Sequence, residues 1–254
     1  EFAGYDVKEV SVAKVIAIIA NNEVSDSAVA GDEVSVFIDR TPFYAESGGQ
    51  VGDHGVITTE TGTVKVTDCI KVVGGKIAHI GKVEDGSISV GDTAKATIDY
   101  AKRLATSRNH SATHLLQKAL RTVLGTHVEQ AGSYVDAERL RFDFTHFSAM
   151  TPDEIKEVER LVNEKIFENL DITITQENIE DARKMGAMAL FGEKYGNVVR
   201  VVNMGGYSVE LCGGAHLKNT AQVGTFKIIS ENGVAAGVRR IEALTGTEAL
   251  KHFQ

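Results

Sequence analysis

The 254-residue chain has two cysteines, two prolines and no tryptophan. Two thiols cannot build the staples of a small secreted scaffold, so a disulfide framework is excluded. No apolar run is long enough to span a bilayer, and the N-terminus lacks a basic stretch leading into an apolar one. The expected setting is therefore intracellular, in the cytoplasm. Positive charge is also scarce. With 27 Lys and Arg against 35 Asp and Glu, the net charge is −8, which argues against a general nucleic-acid binder and leaves local contact open. The chain begins without Met and closes on a helix-like stretch, 247–254, which together suggest a piece of a longer protein.

What is present is ordinary in bulk. A hydrophobic content of 43% and a charged content of 24% fit a globular chain with ample length for a core, as one large domain or two. Residues 1–100 alternate apolar and polar residues in short runs, at 33–39, 63–71, 76–83 and 92–99, broken by Gly-Asp, Gly-Gly and Asp-Gly turns. This predicts a small β-barrel. Residues 10–20 are apolar enough for either strand or helix. From about Ala101 a second domain, 101–254, is expected: an antiparallel sheet with helices packed on one face, giving an α+β fold. Thr151-Pro-Asp-Glu154 signals a helix start, with a Thr cap, a Pro in the first turn and a capping-box Glu. Helical spacing then runs to about Leu170, 172–174 alternate as a strand, and 180–190 resemble a further helix. The strands expected in the tail are 197–202, 207–211, 224–230 and 237–244.

Two pairs of metal-ligand residues stand out against this background. His110 and His114 lie four apart on an amphipathic helix whose apolar residues include Ala112, Leu115, Leu116 and Ala119, so both imidazoles point the same way. Cys212 and His216, also four apart, flank paired glycines about a hundred residues later. Together they form a His₃Cys set, the mixture of nitrogen and sulfur that borderline-soft Zn²⁺ prefers. A zincin-type protease is not expected, because that motif places Glu directly after its first His and the position here is Ser111. The stretch 41–55 carries Gly48, Gly49, Gly52 and Gly55, which permit close backbone approach to a ligand; a plain glycine-rich hairpin is the alternative.

As a set, these residues resemble the editing domain of bacterial-type alanyl-tRNA synthetase. The resemblance rests on His110-x-x-x-His114 with Cys212-x-x-x-His216, on Ser47-Gly-Gly-Gln-Val-Gly-Asp53, on Gln130 and on Gly237-Val-Arg-Arg-Ile-Glu242. It runs from Gly4 to Gly246. Free-standing alanyl-tRNA trans-editing proteins and the second domain of threonyl-tRNA synthetase share the metal motif. One departure is Ala215, where the family often has Thr. The resemblance implies proofreading hydrolysis of mischarged Ser-tRNA(Ala) and Gly-tRNA(Ala) by a zinc-dependent deacylase. In the full protein this piece would be linked to an aminoacylation domain and a C-terminal domain.

The resemblance also implies site roles. His110, His114, Cys212 and His216 would hold Zn²⁺. Gln130 matches the family's substrate-pocket Gln and would contact the amino acid, as would Thr113, which a regular helix places near the ligands. Gly48, Gly49 and Gln50 would line the same pocket. Arg239, Arg240, Arg108 and Lys102 would meet tRNA phosphates. Four protein ligands ordinarily close a structural zinc site, whereas catalytic sites keep a position open. Two rivals follow: a non-catalytic tRNA-binding module with a structural zinc, and a metallo-hydrolase of small esters.

Overall fold

Alternating β-branched and polar residues build eight strands before the first helix. A computed structural model describes residues 1–189 and 196–254. The chain divides into two compact units, Glu1–Ser47 with Val51–Arg103, and Gly48–Gln50 with Leu104–Gln254.

The first unit holds β1 (Glu9–Ala20), β2 (Glu23–Ser25), β3 (Ser27–Val29), β4 (Glu33–Ile38), β5 (Gly55–Thr59), β6 (Gly62–Lys71), β7 (Ile77–Ser89) and β8 (Thr93–Ile98). Six of them close the expected barrel in the order β1-β4-β7-β6-β5-β8, with β8 pairing back onto β1. Residues 10–20, ambiguous by period, are strand β1. Its register on β8 shifts between Val10 and Ala13, and that irregularity breaks the two-residue alternation that would have identified it. Val15, Val36, Ile57, Val64 and Val83 are fully buried inside, each side chain stabilising by roughly 1.5–3 kcal/mol.

Two buried polar clusters brace this barrel. Both carboxylate oxygens of Asp53 accept from the Arg103 guanidinium, which also donates to the Gly4 and Pro42 carbonyls at 2.7 and 3.0 Å. A buried charge without such partners would cost several kcal/mol, and here every fork of the arginine is used. His79 is fully buried between the Val36 carbonyl, 2.8 Å from Nδ1, and Thr41 Oγ1, 2.7 Å from Nε2. A carbonyl only accepts, so Nδ1 carries the proton and Nε2 accepts from the Thr41 hydroxyl.

The second unit is organised by α1 (Tyr100–Leu124), whose first four residues belong to the barrel unit. Asp99 caps it, accepting from Lys102 N–H at 3.0 Å, and Gly125 ends it at φ +119. Then follow β9 (Gln130–Val135), β10 (Leu140–Thr145), α2 (Pro152–Phe167), β11 (Ile172–Asn178), α3 (Ile179–Lys184), β12 (Val198–Met204), β13 (Ser208–Leu211), β14 (Phe226–Ala235), β15 (Val238–Thr245) and α4 (Gly246–Phe253). The Thr151 capping box is complete, with Glu154 N–H donating to Thr151 Oγ1 and Thr151 N–H to Glu154 Oε2.

The tail strands are antiparallel as expected but divide between two sheets. One runs β14-β15-β10-β9 and the other β11-β12-β13. Leu115, Leu116 and Leu120 of α1 share one core with Phe142 and Ile241 of the first sheet and Val202 and Met204 of the second. Two helices stop earlier than their spacing suggests. Helix α2 ends at Phe167, because Asn169 turns left-handed at φ +58. Helix α3 ends at Lys184 in a Schellman motif: Gly186 at φ +78 donates to the Arg183 carbonyl and Ala187 N–H to that of Ala182. The end of the expected helix, Leu190, lies outside the described residues. No helix among the described residues is long and apolar enough to cross a membrane.

Burial lowers the His79 pKa from 6.5 to about 4, against a small opposing pull from the Val36 carbonyl. The folded state therefore binds this proton more weakly than the unfolded chain. The stability contributed by the neutral ring is intact above pH 6.5 and is lost as pH falls toward 4, by about 3 kcal/mol in all. Urea denaturation at stepped pH should show that extra slope in the wild type and lack it in His79→Gln. Equal slopes in the two proteins would contradict it.

Candidate metal centre

Helix α1 presents His110 and His114 one turn apart, 5% and 4% exposed, with ring centroids 5.4 Å apart. Ala112, Leu115, Leu116 and Ala119 anchor the other side of the helix in the core, which fixes the histidine face. The second ligand pair sits just past β13, in the turn from Cys212 to His216. Arg200 of β12 shapes this turn: its guanidinium donates to the Cys212 and Gly214 carbonyls at 3.0 and 2.6 Å, and its own carbonyl accepts from Cys212 N–H at 3.0 Å. Gly214 packs directly on the His110 ring, so a Cβ at 214 would fall onto ring atoms Cε1 and Nδ1. Only glycine lets the turn come this close.

The four donor atoms converge within 4.8 Å of one another. Cys212 Sγ lies 3.4 Å from His110 Nε2 and 3.2 Å from His216 Nε2. Donors around a tetrahedral zinc, at Zn–N of ~2.0–2.1 Å and Zn–S of ~2.3 Å, would stand about 3.3–3.6 Å apart, close to these separations. The outward nitrogens are held as well. His110 Nδ1 is 2.7 Å from Gln50 Oε1, His114 Nδ1 is 2.5 Å from Glu210 Oε2, and His216 Nδ1 is 3.1 Å from Ser111 Oγ. An amide or carboxylate oxygen accepts, so His110 and His114 carry their protons on Nδ1 and turn Nε2 inward, the tautomer a metal requires. The residues present fit a divalent metal ion.

The charges fit too. Burial raises the Cys212 thiol pKa, but the neighbouring His110, His216 and His114 outweigh it and bring the value well below the ordinary thiol range. For His114, burial lowers the pKa, yet Glu210 and Cys212 prevail and lift it to about 10. Burial and the charge of His110 take His216 down to about 3, against the attraction of Cys212. The centre thus holds a thiolate beside a His114 that keeps a second proton. A metal would have to displace that proton from Nε2, so metal binding here releases a proton.

Above these donors is a cavity of about 10 Å³, the space of one water, walled in part by Gly48, Thr113, Gln117, Gln130 and Ser133. Thr113 and Gln130 therefore line the same cavity. Thr113 Oγ1 donates to the Asn109 carbonyl at 2.8 Å, which leaves its lone pairs available. Gly48, Gly49 and Gln50 separate in role. Gly48 faces the cavity, at φ +59. Gly49 lies against β9, where a Cβ would meet the Ser133 carbonyl, and its own carbonyl accepts from Val135 N–H at 2.8 Å. Gln50, 1% exposed, stands behind His110, and its Oε1 also accepts from Ala215 N–H at 2.8 Å.

The basic residues do not gather at this cavity. Arg239 forms a two-pronged pair with Glu231 at 2.5 and 2.9 Å, and Arg240 one with Asp143 at 2.7 and 2.9 Å. Arg108 donates to the Gln222 carbonyl at 3.0 Å. Lys102, in the barrel unit, has Nζ 3.1 Å from His54 Nδ1. Sequence reasoning missed Glu210, Ser111 and Arg200. A signal existed for Glu210, an acidic residue in an otherwise apolar strand end two residues before Cys212. None existed for the others.

Comparison with known proteins adds family relationships. Residues 1–102 match the family of tRNA synthetases class II (A), and residues 199–242 match the threonyl and alanyl tRNA synthetase second additional domain. The chain is 62% identical over 253 residues to the alanine–tRNA ligase of Acetivibrio thermocellus, a match covering 100% of the chain and 29% of that protein. Against the alanine–tRNA ligase of Thermoanaerobacter sp. (strain X514) identity is 54% over 254 residues, again 100% and 29%. Against that of Bacillus cytotoxicus it is 53% over 249 residues, 98% and 28%. The chain spans less than a third of the length of these relatives.

If Glu210 orients His114, Glu210→Gln should weaken zinc binding about 10–100-fold, measured by chelator competition at constant pH. Unchanged affinity in a folded variant would remove the carboxylate from the centre.

Proposed function

We propose, on the premise that the chain belongs to the alanine–tRNA ligase family, that it is the part that proofreads, hydrolysing the ester of Ser-tRNA(Ala) and Gly-tRNA(Ala) in the cytoplasm. The carrying observation is the convergence of His110, His114, Cys212 and His216 beneath an opening walled by polar side chains. The need for such a site is physical. A pocket shaped for alanine rejects an analogue that merely adds a hydroxyl by only ~10²-fold, so accuracy requires a second, hydrolytic site.

A zinc ion held by these four residues would supply Lewis acidity toward the ester carbonyl, or a water whose pKa is lowered toward ~7. The chain's own residues do the rest. Gln50, Glu210 and Ser111 hold the three rings in place. Gly48 offers bare backbone to the incoming ester. Gln130 can donate and accept, and Thr113 Oγ1, its proton committed to Asn109, can accept from a serine hydroxyl or an ammonium group. A serine hydroxyl satisfies this wall, whereas the methyl of alanine would leave its polar groups unpaired, which protects the correct product. A glycine ester leaves room for a water to pair with these groups, room that the alanine methyl would fill.

The complete set of four protein donors favours one rival, a tRNA-binding module with a structural zinc. Deacylation of Ser-, Gly- and Ala-tRNA(Ala) by wild type, Cys212→Ala and Gln130→Ala separates the two. Editing requires fast release of serine and glycine and slow release of alanine. Cys212→Ala should abolish release, and Gln130→Ala should cut serine selectivity about ten-fold, the worth of one hydrogen bond. A folded, zinc-loaded wild type that releases serine no faster than background would leave the binding module.

A further inference from the structure

A second cavity, of roughly 170 Å³, adjoins the metal pocket and shares Gln117 and Glu210 with it. Its other walls include Lys118 and Arg121 from α1, and Tyr207 and Ser208 from the start of β13. The geometry points to this cavity as the seat of an RNA phosphodiester, next to the aminoacylated end of the tRNA that the editing reading brings to His110 and His114. The inference rests on that reading for the identity of the RNA.

Four observations carry it. First, Lys118 and Arg121 have no carboxylate partner among the described residues; Arg121 spends one Nη1 on the Val128 carbonyl and Lys118 is exposed. Arg239 and Arg240, by contrast, have both prongs on Glu231 and Asp143 and present no free fork to a phosphate. In a chain of net charge −8, RNA must dock on cations that are locally unpaired. Second, Ser208 is 3% exposed and its Oγ lacks a hydrogen-bond partner, a buried hydroxyl at the cavity wall with a proton to donate.

Third, nearby carboxylates are already compensated. Glu210 faces His114, Glu164 pairs with Arg160 and Glu168 with Lys165, whose Nζ lies 5.0 Å from the Tyr207 ring. Fourth, the helix sets the spacing. His114, Lys118 and Arg121 occupy successive turns of one face, and four residues of α-helix advance ~6 Å, a distance on the scale of one nucleotide. An ester at the metal pocket would carry its neighbouring phosphate to this second opening.

The test uses the whole chain with an uncharged tRNA(Ala) transcript, and with acceptor-stem minihelices that either keep or lack the single-stranded 3′ nucleotides. Binding is measured between 50 and 200 mM salt, with melting temperature and zinc content recorded for every variant. Lys118→Gln should raise Kd on the order of five-fold and lower the slope of log K against log[salt] by about 1, with a further decrease of about 1 in Lys118→Gln/Arg121→Gln. Lys118→Arg should restore the slope, and the minihelix lacking its 3′ nucleotides should be indifferent to all three. An unchanged Kd and slope in a folded Lys118→Gln protein would overturn the assignment, as would an equal loss with the truncated minihelix. Lys118-dependent binding by a wild type that deacylates nothing would keep the phosphate site and reject the reaction. Deacylation with Lys118-independent binding would do the reverse.

Discussion

An imidazole has two nitrogens, and everything at this centre depends on which of them faces inward. Three rings turn Nε2 toward Cys212 because something outside grips each Nδ1: an amide oxygen for His110, a carboxylate for His114, a hydroxyl for His216. The Glu210 contact is the costliest of the three to assemble, because a buried carboxylate is tolerated only when paired. It also sets the charge of the ring it faces. Each grip comes from a different part of the second unit, so the centre reports whether the glycine-rich stretch, β13 and α1 are all in place.

The shared direction of His110 and His114 was legible in the sequence, because helix pitch translates a four-residue spacing into one face without knowledge of the fold. Cys212 and His216, by contrast, meet in a turn that their spacing does not dictate. Also legible was the Thr151 helix start, whose signals all lie within four residues. Less legible were features set by register. Arg239 and Arg240 read as a basic patch, but Arg240 lies directly opposite Asp143 across the β10–β15 pair, and Glu231 lies opposite Ile241 on β14 within reach of Arg239. One sequence does not reveal which acid a strand will be laid against.

Gln50 is illegible for a related reason. It is 60 residues from His110, and the contact exists only because Gly49, free of a side chain, can lie against the Ser133 carbonyl. A glycine-rich stretch suggests close approach to something, and spacing alone does not say whether that is a ligand or the protein itself. Here neighbouring residues do different things: Gly48 opens onto the cavity while Gln50 supports a histidine from behind. The end of α3 was readable in principle from Gly186, but a run of helix formers on both sides of that glycine masked it.

Cys212 and His110 are 102 residues apart in sequence yet 3.4 Å apart in space. An ion seated between them would act as a clasp on a loop containing the β11-β12-β13 sheet, strands β9 and β10 of the other sheet, and helices α2 and α3. The entropy of closing a loop grows with the logarithm of its length, so a clasp of this span restrains the unfolded chain more than a short-range contact does, by about 0.6 kcal/mol for each doubling of the loop. Metal content would then be coupled to fold integrity in the second unit, to which all four donors belong. The clasp would close where Gly214 seats its turn against the His110 ring, a contact that admits no side chain.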